Sequence, residues 1–220
     1  MDLELRIMFT FMGNVMIVKD PWPHIIEDNF LEPEMYKFLV SLIKYDKKRY
    51  KTIWCAEKHK KDYYEKLASK QRYDGYNHFD GEIYSVYAKY SIPYSKEIMD
   101  ILCYAQDKLV ERMMMLMPER LDNVKTIALH IQTLQSTKLK GTTNDFHTDP
   151  PTRLISSVVY TDKNNHGTFL GYPKQEIKPE ENRALTFCSV KDKTWHAYVS
   201  NSDKPRTTFN FILKGKPDGD

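Results

Sequence analysis

Paired cysteines are the first feature that this sequence lacks. Its three cysteines, Cys55, Cys103 and Cys188, are odd in number and scattered along the chain. A disulfide-stabilised secreted domain would have an even set at regular spacing. The pattern excludes a disulfide framework and predicts reduced thiols in a cytoplasmic protein, in the host cytoplasm if a virus encodes it.

A long apolar run is also missing. The most apolar stretch, 7–18, is interrupted by Gly13 and Asn14, and a charged, proline-containing segment follows it rather than a small-residue cleavage site. A membrane-spanning helix needs about 20 apolar residues. We therefore predict neither a signal peptide nor a membrane span, and expect two short strands around a Gly-Asn turn.

Neither sign of charge is in excess, because 33 basic residues stand against 30 acidic ones, for a net charge of +3. So small a balance gives no argument for a nucleic acid or an anionic membrane as partner. With 41% apolar and 29% charged residues, the composition is that of a folded globular protein. The expected partner is a protein or small-molecule substrate, and the composition leaves the oligomeric state open.

Repeats and low-complexity linkers are absent as well, so we predict a single domain over 1–220. Apolar residues at helical spacing predict helices at 33–45 and 95–117. Residues 46–80 are rich in lysine and tyrosine, which favours a charged surface insertion, either a helix with a loop or a cover over another part of the molecule. The first part of the chain, 1–122, is thus expected to hold N-terminal strands and supporting helices.

Short strands dominate the remainder, 123–214. Alternating or β-branched runs are separated by turn-forming residues, and they occupy 126–135, 154–161, 184–190, 194–199 and 206–213. Several short strands after a long helix predict a mainly β fold, a β-sandwich or jelly roll with helices on one face.

Two histidines and an aspartate stand out in this half. His147 and Asp149 are two residues apart, so their side chains would share one face of an extended strand. His196 lies on a later strand, directly after Trp195. Two imidazoles and one carboxylate on one face of an ion form the facial triad of non-haem Fe(II) oxygenases. We predict that His147, Asp149 and His196 bind a metal ion and form the catalytic centre.

Arg206 is a candidate for binding a carboxylate. Strands 194–199 and 206–213 are predicted to form a hairpin, because turn-forming residues join them. That hairpin would place His196 and Arg206 roughly opposite each other. Thr208 shares a strand face with Arg206, and a guanidinium with a neighbouring hydroxyl is well suited to bidentate recognition of a carboxylate.

The order of these motifs resembles the 2-oxoglutarate/Fe(II)-dependent dioxygenase superfamily, and most of all its prolyl-hydroxylase-like branch. The segment 154–163 resembles the strand that follows the His-x-Asp motif of that branch and contains its tyrosine, here Tyr160. The segment 195–199 matches the family's second histidine strand, and 21–31 is similar to its entry segment.

The resemblance implies a double-stranded β-helix, a cupin-like jelly roll with bracing helices. The triad would bind Fe(II), and Arg206 would hold the distal carboxylate of the co-substrate 2-oxoglutarate, with Thr208 assisting and Tyr160 hydrogen-bonded to the same carboxylate. O2 is the second co-substrate, and ascorbate is an optional addition. The implied reaction hydroxylates a C–H bond of a protein side chain or a free amino acid and releases succinate and CO2.

Two positions depart from the pattern of the branch. Leu139 stands where a co-substrate tyrosine is often found, and His166 replaces the first glycine of a Gly-Gly pair. Asp149 argues against a related halogenase, which needs a small residue at this position. A nucleic-acid oxidative demethylase on the same scaffold is an alternative, but that family has a second arginine where this chain has Ile212. The third alternative is a non-catalytic jelly-roll binding module.

The other histidines have less specific surroundings. His24, His59 and His78 lie in loop-like contexts and are expected at the surface. His130 and Gln132 alternate on one strand, and either is a candidate for the pocket lining.

Overall fold

The computed structural model describes residues 11–12, 15–43, 51–54, 85–89, 95–136, 143–164, 167–171, 175–199 and 206–216. Most of the predicted insertion at 46–80 lies outside the described residues, as do Leu139, His166, His59 and His78. Helix α1 spans Pro33–Ser41, helix α2 spans Lys96–Leu116, and a 3₁₀ helix spans Pro118–Asn123.

Thirteen strands lie within the described residues, and all their pairings are antiparallel. They are β1 (Phe11–Met12), β2 (Val15–Val18), β3 (His24–Glu27), β4 (Lys51–Trp54), β5 (Ser85–Lys89), β6 (Val124–Ser136), β7 (Thr143–His147), β8 (Arg153–Tyr160), β9 (Thr168–Leu170), β10 (Gln175–Ile177), β11 (Ala184–Cys188), β12 (His196–Val199) and β13 (Arg206–Gly215).

The strands form two sheets in the order of a jelly roll. The described part of the larger sheet runs β1-β2-β3-β11-β8-β13-β6-β5-β4, and that of the smaller sheet runs β10-β9-β12-β7. From β6 onward the chain repeatedly crosses between the sheets, which confirms the predicted double-stranded β-helix. Strands β1–β3 extend one edge of the larger sheet, and β4–β5 extend the other.

The predicted hairpin between 194–199 and 206–213 is wrong. Strand β12 pairs with β7 and β9 in the smaller sheet, whereas β13 pairs with β6 and β8 in the larger one. In a jelly roll, consecutive strands often lie in opposite sheets, so a short connection can lead to the opposite sheet. The two strands at Gly13-Asn14 do pair, with Met12 opposite Val15.

Helix α2 braces the outer face of the larger sheet. The Ser95 hydroxyl caps its first turn by accepting from the Ile98 backbone N–H at 3.3 Å. Its buried residues recur at helical spacing, and they pack in one core cluster with alternate residues of β13. These are Ile98, Ile101, Ala105, Leu109 and Met113 on the helix and Phe209, Phe211 and Leu213 on the strand. Pro118 follows the helix, and α2 matches the predicted range 95–117 to within one residue at each end.

Helix α1 is shorter than the predicted range 33–45. Pro33 occupies its first turn, where a missing N–H costs nothing, and Leu39 is buried beneath it. The helix ends at Ser41 because the Leu42 and Ile43 N–H groups turn back to Leu39 and Val40 in tighter three-residue bonds. No helix in the described part of the chain is long and apolar enough to span a membrane.

A buried charge cluster joins α2 to β3. The Glu27 carboxylate accepts from Lys108 Nζ at 2.7 Å and from Arg112 Nε and Nη2 at 3.1 and 3.2 Å. Only 4% of Glu27 and 5% of Arg112 is exposed, so water solvates their charges very little. Lys108 also donates to the Phe30 carbonyl oxygen at 2.7 Å.

His24 is buried rather than exposed as the sequence suggested, because it lies on β3 between β2 and β11. Its Nδ1 is 2.8 Å from the Trp22 carbonyl oxygen, and its ring meets the Trp22 ring edge-on at 5.4 Å. Burial lowers the pKa of His24, so the imidazole is neutral at pH 7. The loop-like appearance came from the prolines beside Trp22, which precede a strand here.

We predict that Glu27→Gln lowers the free energy of unfolding by about 3 kcal/mol, because it removes the buried carboxylate that Lys108 and Arg112 share and leaves Arg112 only its pair with the exposed Glu111. Urea denaturation followed by circular dichroism measures this change. The control is Asp100→Asn, which breaks the exposed Lys96–Asp100 pair and should leave stability nearly unchanged. Equal effects of the two substitutions would contradict the prediction.

Candidate metal centre

Three side chains converge where β7 ends and β12 begins. His147 is the last residue of β7, and His196, the first residue of β12, is its direct cross-strand partner. Asp149 lies two residues beyond His147, outside the strand, since Pro150 and Pro151 cannot donate to a ladder. One candidate ligand atom from each residue lies within 4.8 Å of the others. The structure thus brings together the three predicted ligands.

The His196 imidazole is set up to offer Nε2. Its Nδ1 lies 3.0 Å from the Thr194 carbonyl oxygen, so Nδ1 donates and Nε2 keeps its lone pair. Burial, reinforced by the neighbouring His147 ring at 4.5 Å, lowers the pKa of His196 to about 4. The ring is therefore neutral at pH 7, as metal ligation requires.

A compact turn positions His196. The Thr194 hydroxyl binds both the N–H and the carbonyl group of Val190, at 3.0 and 3.2 Å. The Trp22 indole N–H donates to the Trp195 carbonyl oxygen at 3.3 Å, and the Phe187 ring packs 4.9 Å from the imidazole. The ring is thus held by the backbone on one side and by an aromatic face on the other.

Arg120 supports the same region from the helical side of the larger sheet. Its buried guanidinium donates through Nη1 to the carbonyl oxygens of Ser189 and Leu154, at 2.7 and 3.3 Å. Ser189 begins the turn that leads to His196, and Leu154 follows the loop that contains Asp149. Arg120 therefore links the turn that leads to His196 with the strand that follows the Asp149 loop.

Asp149 is buried, with 6% of its surface exposed. Its Oδ1 accepts from Arg153 Nη1 at 2.8 Å, and its Oδ2 lies 3.5 Å from the Ser156 hydroxyl, at the limit of a hydrogen bond. Arg153 was not singled out from the sequence, where an arginine at the start of a strand gives no signal.

The donor set fits a divalent transition metal. Two imidazole nitrogens and one carboxylate oxygen suit iron in the facial arrangement, which leaves the opposite positions for co-substrates. Three ligands on one face of an ion, each at about 2.1 Å, lie about 3 Å apart. The three side-chain atoms, within 4.8 Å of one another, would draw closer around a bound ion, and their chemistry fits it.

A polar cluster bridges the two sheets inside the jelly roll. Arg206 on β13 donates through Nη2 to Thr168 Oγ1 on β9 at 3.2 Å, and the Tyr160 hydroxyl on β8 donates to the same oxygen at 2.8 Å. The Arg206 guanidinium carbon lies 5.4 Å from the centre of the Tyr160 ring. Burial raises the pKa of Tyr160, so its hydroxyl remains a neutral donor.

Thr208 completes this cluster, being the cross-strand partner of Tyr160 and two residues from Arg206. Only 1% of Thr208 is exposed, and no hydrogen-bond partner for its hydroxyl is found among the described residues. A buried hydroxyl of this kind is a ready partner for a polar ligand. The sequence indicated Arg206, Thr208 and Tyr160 but not Thr168, since an isolated threonine has no distinguishing pattern.

Of the two candidates for the pocket lining, His130 is the cross-strand partner of Asn210, which shares a strand face with Thr208. It therefore lies on the interior side of the sheet. The side chain of Gln132 lies outside the described residues, so its candidacy stays a prediction.

Comparison with known proteins gives a match in structure only. No family model matches the chain, and no curated protein matches its sequence. Solved structures do match. A prolyl hydroxylase from Trichoplax adhaerens, in complex with a hypoxia-inducible-factor peptide fragment, has a TM-score of 0.56 at 16% identity, over 87% of this chain and 83% of that one. A prolyl-4-hydroxylase from Pseudomonas putida has a TM-score of 0.51 at 13% identity, over 88% and 92%. The chain therefore has the jelly-roll fold of the prolyl hydroxylases.

Proposed function

We propose that this protein is a 2-oxoglutarate- and Fe(II)-dependent dioxygenase that hydroxylates a C–H bond. The observation that supports this most directly is the convergence of His147, Asp149 and His196 at one point of a jelly roll. The interior cluster around Arg206 gives separate support, because it offers a cation and hydroxyls of the kind that a dicarboxylate requires.

The protein's residues would do the positioning in this reaction. The triad would hold Fe(II), which when bound supplies the site where O2 reacts with 2-oxoglutarate to give succinate, CO2 and one oxygen atom for the substrate. Arg206 would pair with the distal carboxylate of 2-oxoglutarate, and Thr208 would donate a hydrogen bond to it. Thr168 would fix the guanidinium from the opposite sheet, and Tyr160, on the strand next to β13, would hold the Thr168 hydroxyl in place.

The substrate is proposed to be a protein side chain, with a free amino acid as the alternative. Two of the solved structures that match are prolyl hydroxylases, one of them in complex with a peptide fragment, which supports this choice. Ile212 gives an independent argument against an oxidative demethylase: it is 1% exposed and lies on the same strand face as Arg206, so the position of that family's second arginine is apolar here. The cytoplasmic location stays a prediction.

We expect the metal-free protein to bind Fe(II) under anaerobic conditions and then to develop a weak visible charge-transfer band when 2-oxoglutarate is added. Asp149→Ala should abolish the band, because it removes the only charged ligand of the triad. Absorption spectroscopy measures this directly. The control is Asp122→Ala, which removes an exposed carboxylate and should keep the band.

Lack of a band in folded wild-type protein would overturn the proposal. It would then favour a jelly-roll binding module without catalysis. A band in wild type and in Asp122→Ala, but not in Asp149→Ala, would establish the cofactor pair and leave the substrate to be sought.

Thr168→Val tests the interior cluster. This nearly isosteric change removes the oxygen that accepts from both Arg206 and Tyr160, so the guanidinium loses its alignment. At saturating Fe(II), we expect the dissociation constant for 2-oxoglutarate to rise roughly tenfold, the effect of one lost hydrogen bond of about 1.4 kcal/mol. Arg206→Gln should have a larger effect, since it removes the charge itself.

The matched control is Thr186→Val. Thr186 is also buried, but it lies on the helix side of β11, where its hydroxyl contacts Ser157. The Thr186→Val protein should lose some stability and keep its affinity for 2-oxoglutarate. If Thr168→Val bound 2-oxoglutarate as tightly as Thr186→Val, the assigned co-substrate site would be wrong.

A further inference from the structure

The Asp149 carboxylate, a candidate metal ligand, forms an ion pair with Arg153. Arg153 Nη1 lies 2.8 Å from Asp149 Oδ1, and 30% of the arginine side chain is exposed against 6% of the aspartate side chain. The pair is therefore placed at the boundary between the site and solvent. An exposed pair would contribute little, but here one partner is buried and needs its charge balanced before any metal arrives.

The backbone fixes Arg153 relative to Asp149. The Arg153 N–H donates to the Pro150 carbonyl oxygen at 2.9 Å, which closes a turn between the two residues. Arg153 is also the first residue of β8, paired with Lys214 of β13, and the neighbouring Thr152 carbonyl oxygen accepts from the Gly215 N–H at 3.1 Å. The guanidinium thus starts from an anchored position rather than from a free loop.

The ion pair with Arg153 makes the two carboxylate oxygens of Asp149 inequivalent. A facial triad needs one oxygen from its carboxylate, because a bidentate carboxylate would occupy a coordination position that a co-substrate needs. With Oδ1 engaged by a charge-assisted hydrogen bond, Oδ2 is the oxygen left for an ion. The Ser156 hydroxyl, 3.5 Å from Oδ2, is too distant to compete strongly with a metal.

We propose that Arg153 is the positioning residue of the metal centre, holding Asp149 Oδ1 so that Oδ2 is the sole carboxylate ligand. This inference rests on the proposed function, since it assumes that the triad binds a metal. Arg153 does not touch the ion in this arrangement. It acts through Asp149, as the partners behind metal ligands commonly do.

The test compares Arg153→Gln with wild type by calorimetric titration of the metal-free proteins with Mn(II), and with Fe(II) under anaerobic conditions. Loss of a partner behind a ligand typically weakens metal affinity about 10- to 100-fold, and we expect a rise of that size in the metal dissociation constant. Arg153→Lys restores the charge and one donor but not the planar fork, so it should recover part of the affinity.

Arg183→Gln is the matched control. Arg183 also pairs with an aspartate, Asp28, and its side chain is similarly exposed, at 23%. Its other contact is the Lys178 carbonyl oxygen, so these contacts do not include the triad. It should bind metal like wild type. Thermal melting of the metal-free variants separates positioning from folding, because a purely structural role for Arg153 would lower the melting temperature and leave the metal dissociation constant unchanged.

The outcomes are distinguishable. If wild type binds metal and Arg153→Gln binds it equally well, the role of Arg153 is wrong while the proposed function stands. If wild type binds no metal, both the role of Arg153 and the proposed function are wrong. Should Arg153→Gln fail to fold, Arg153→Met, which keeps the aliphatic stem and removes the charge and every donor, decides the question: wild-type metal affinity would overturn the inference, and weakened affinity at an unchanged melting temperature would support it.

Discussion

The direct pairing of His196 with His147 across β7 and β12 is the constraint on which the candidate site depends. It sets both imidazoles on one side of a small sheet, at the end where the chain leaves β7 toward Asp149. The ladder becomes irregular immediately beyond this pair, where Tyr198 lies opposite Asn144. A β-bulge at such a position changes the local twist and re-aims side chains, and bulges are frequent beside active sites.

Much of the remaining structure supports that pair. Helix α2 covers the outer face of the larger sheet, and the Glu27 charge cluster ties it to β3. Arg120, just past α2, then links the two segments that lead to Asp149 and His196. The inner face is polar near Thr168 and apolar around Phe187. The triad and the cluster around Arg206 are therefore supported by elements far from them in sequence.

The fold class and the members of the triad could be predicted because each depends on a local pattern. Strand periodicity, a His-x-Asp spacing and a second histidine beside Trp195 are all readable in single segments. The hairpin at Arg206 could not be judged in this way, since a short turn-rich connection looks the same whether it joins neighbours or opposite sheets. Thr168 contacts Arg206, 38 residues away, so no local pattern indicates it. Arg153 lies only four residues from Asp149, but an Asp and an Arg at that spacing are common and do not by themselves indicate a contact. His24 was misjudged because its burial depends on strands contributed by both ends of the chain.

The two faces of strand β13 contact different parts of the molecule. Phe209 and Phe211 enter the core beneath α2, while Arg206 and Thr208 turn into the jelly roll. Because side chains alternate strictly along a strand, gaining or losing one residue within β13 would exchange the two sets. The core would then receive a guanidinium, and the interior cluster would receive phenyl rings. A substitution along this strand changes one face at a time, whereas a deletion here would disturb the core and the interior cluster in a single step.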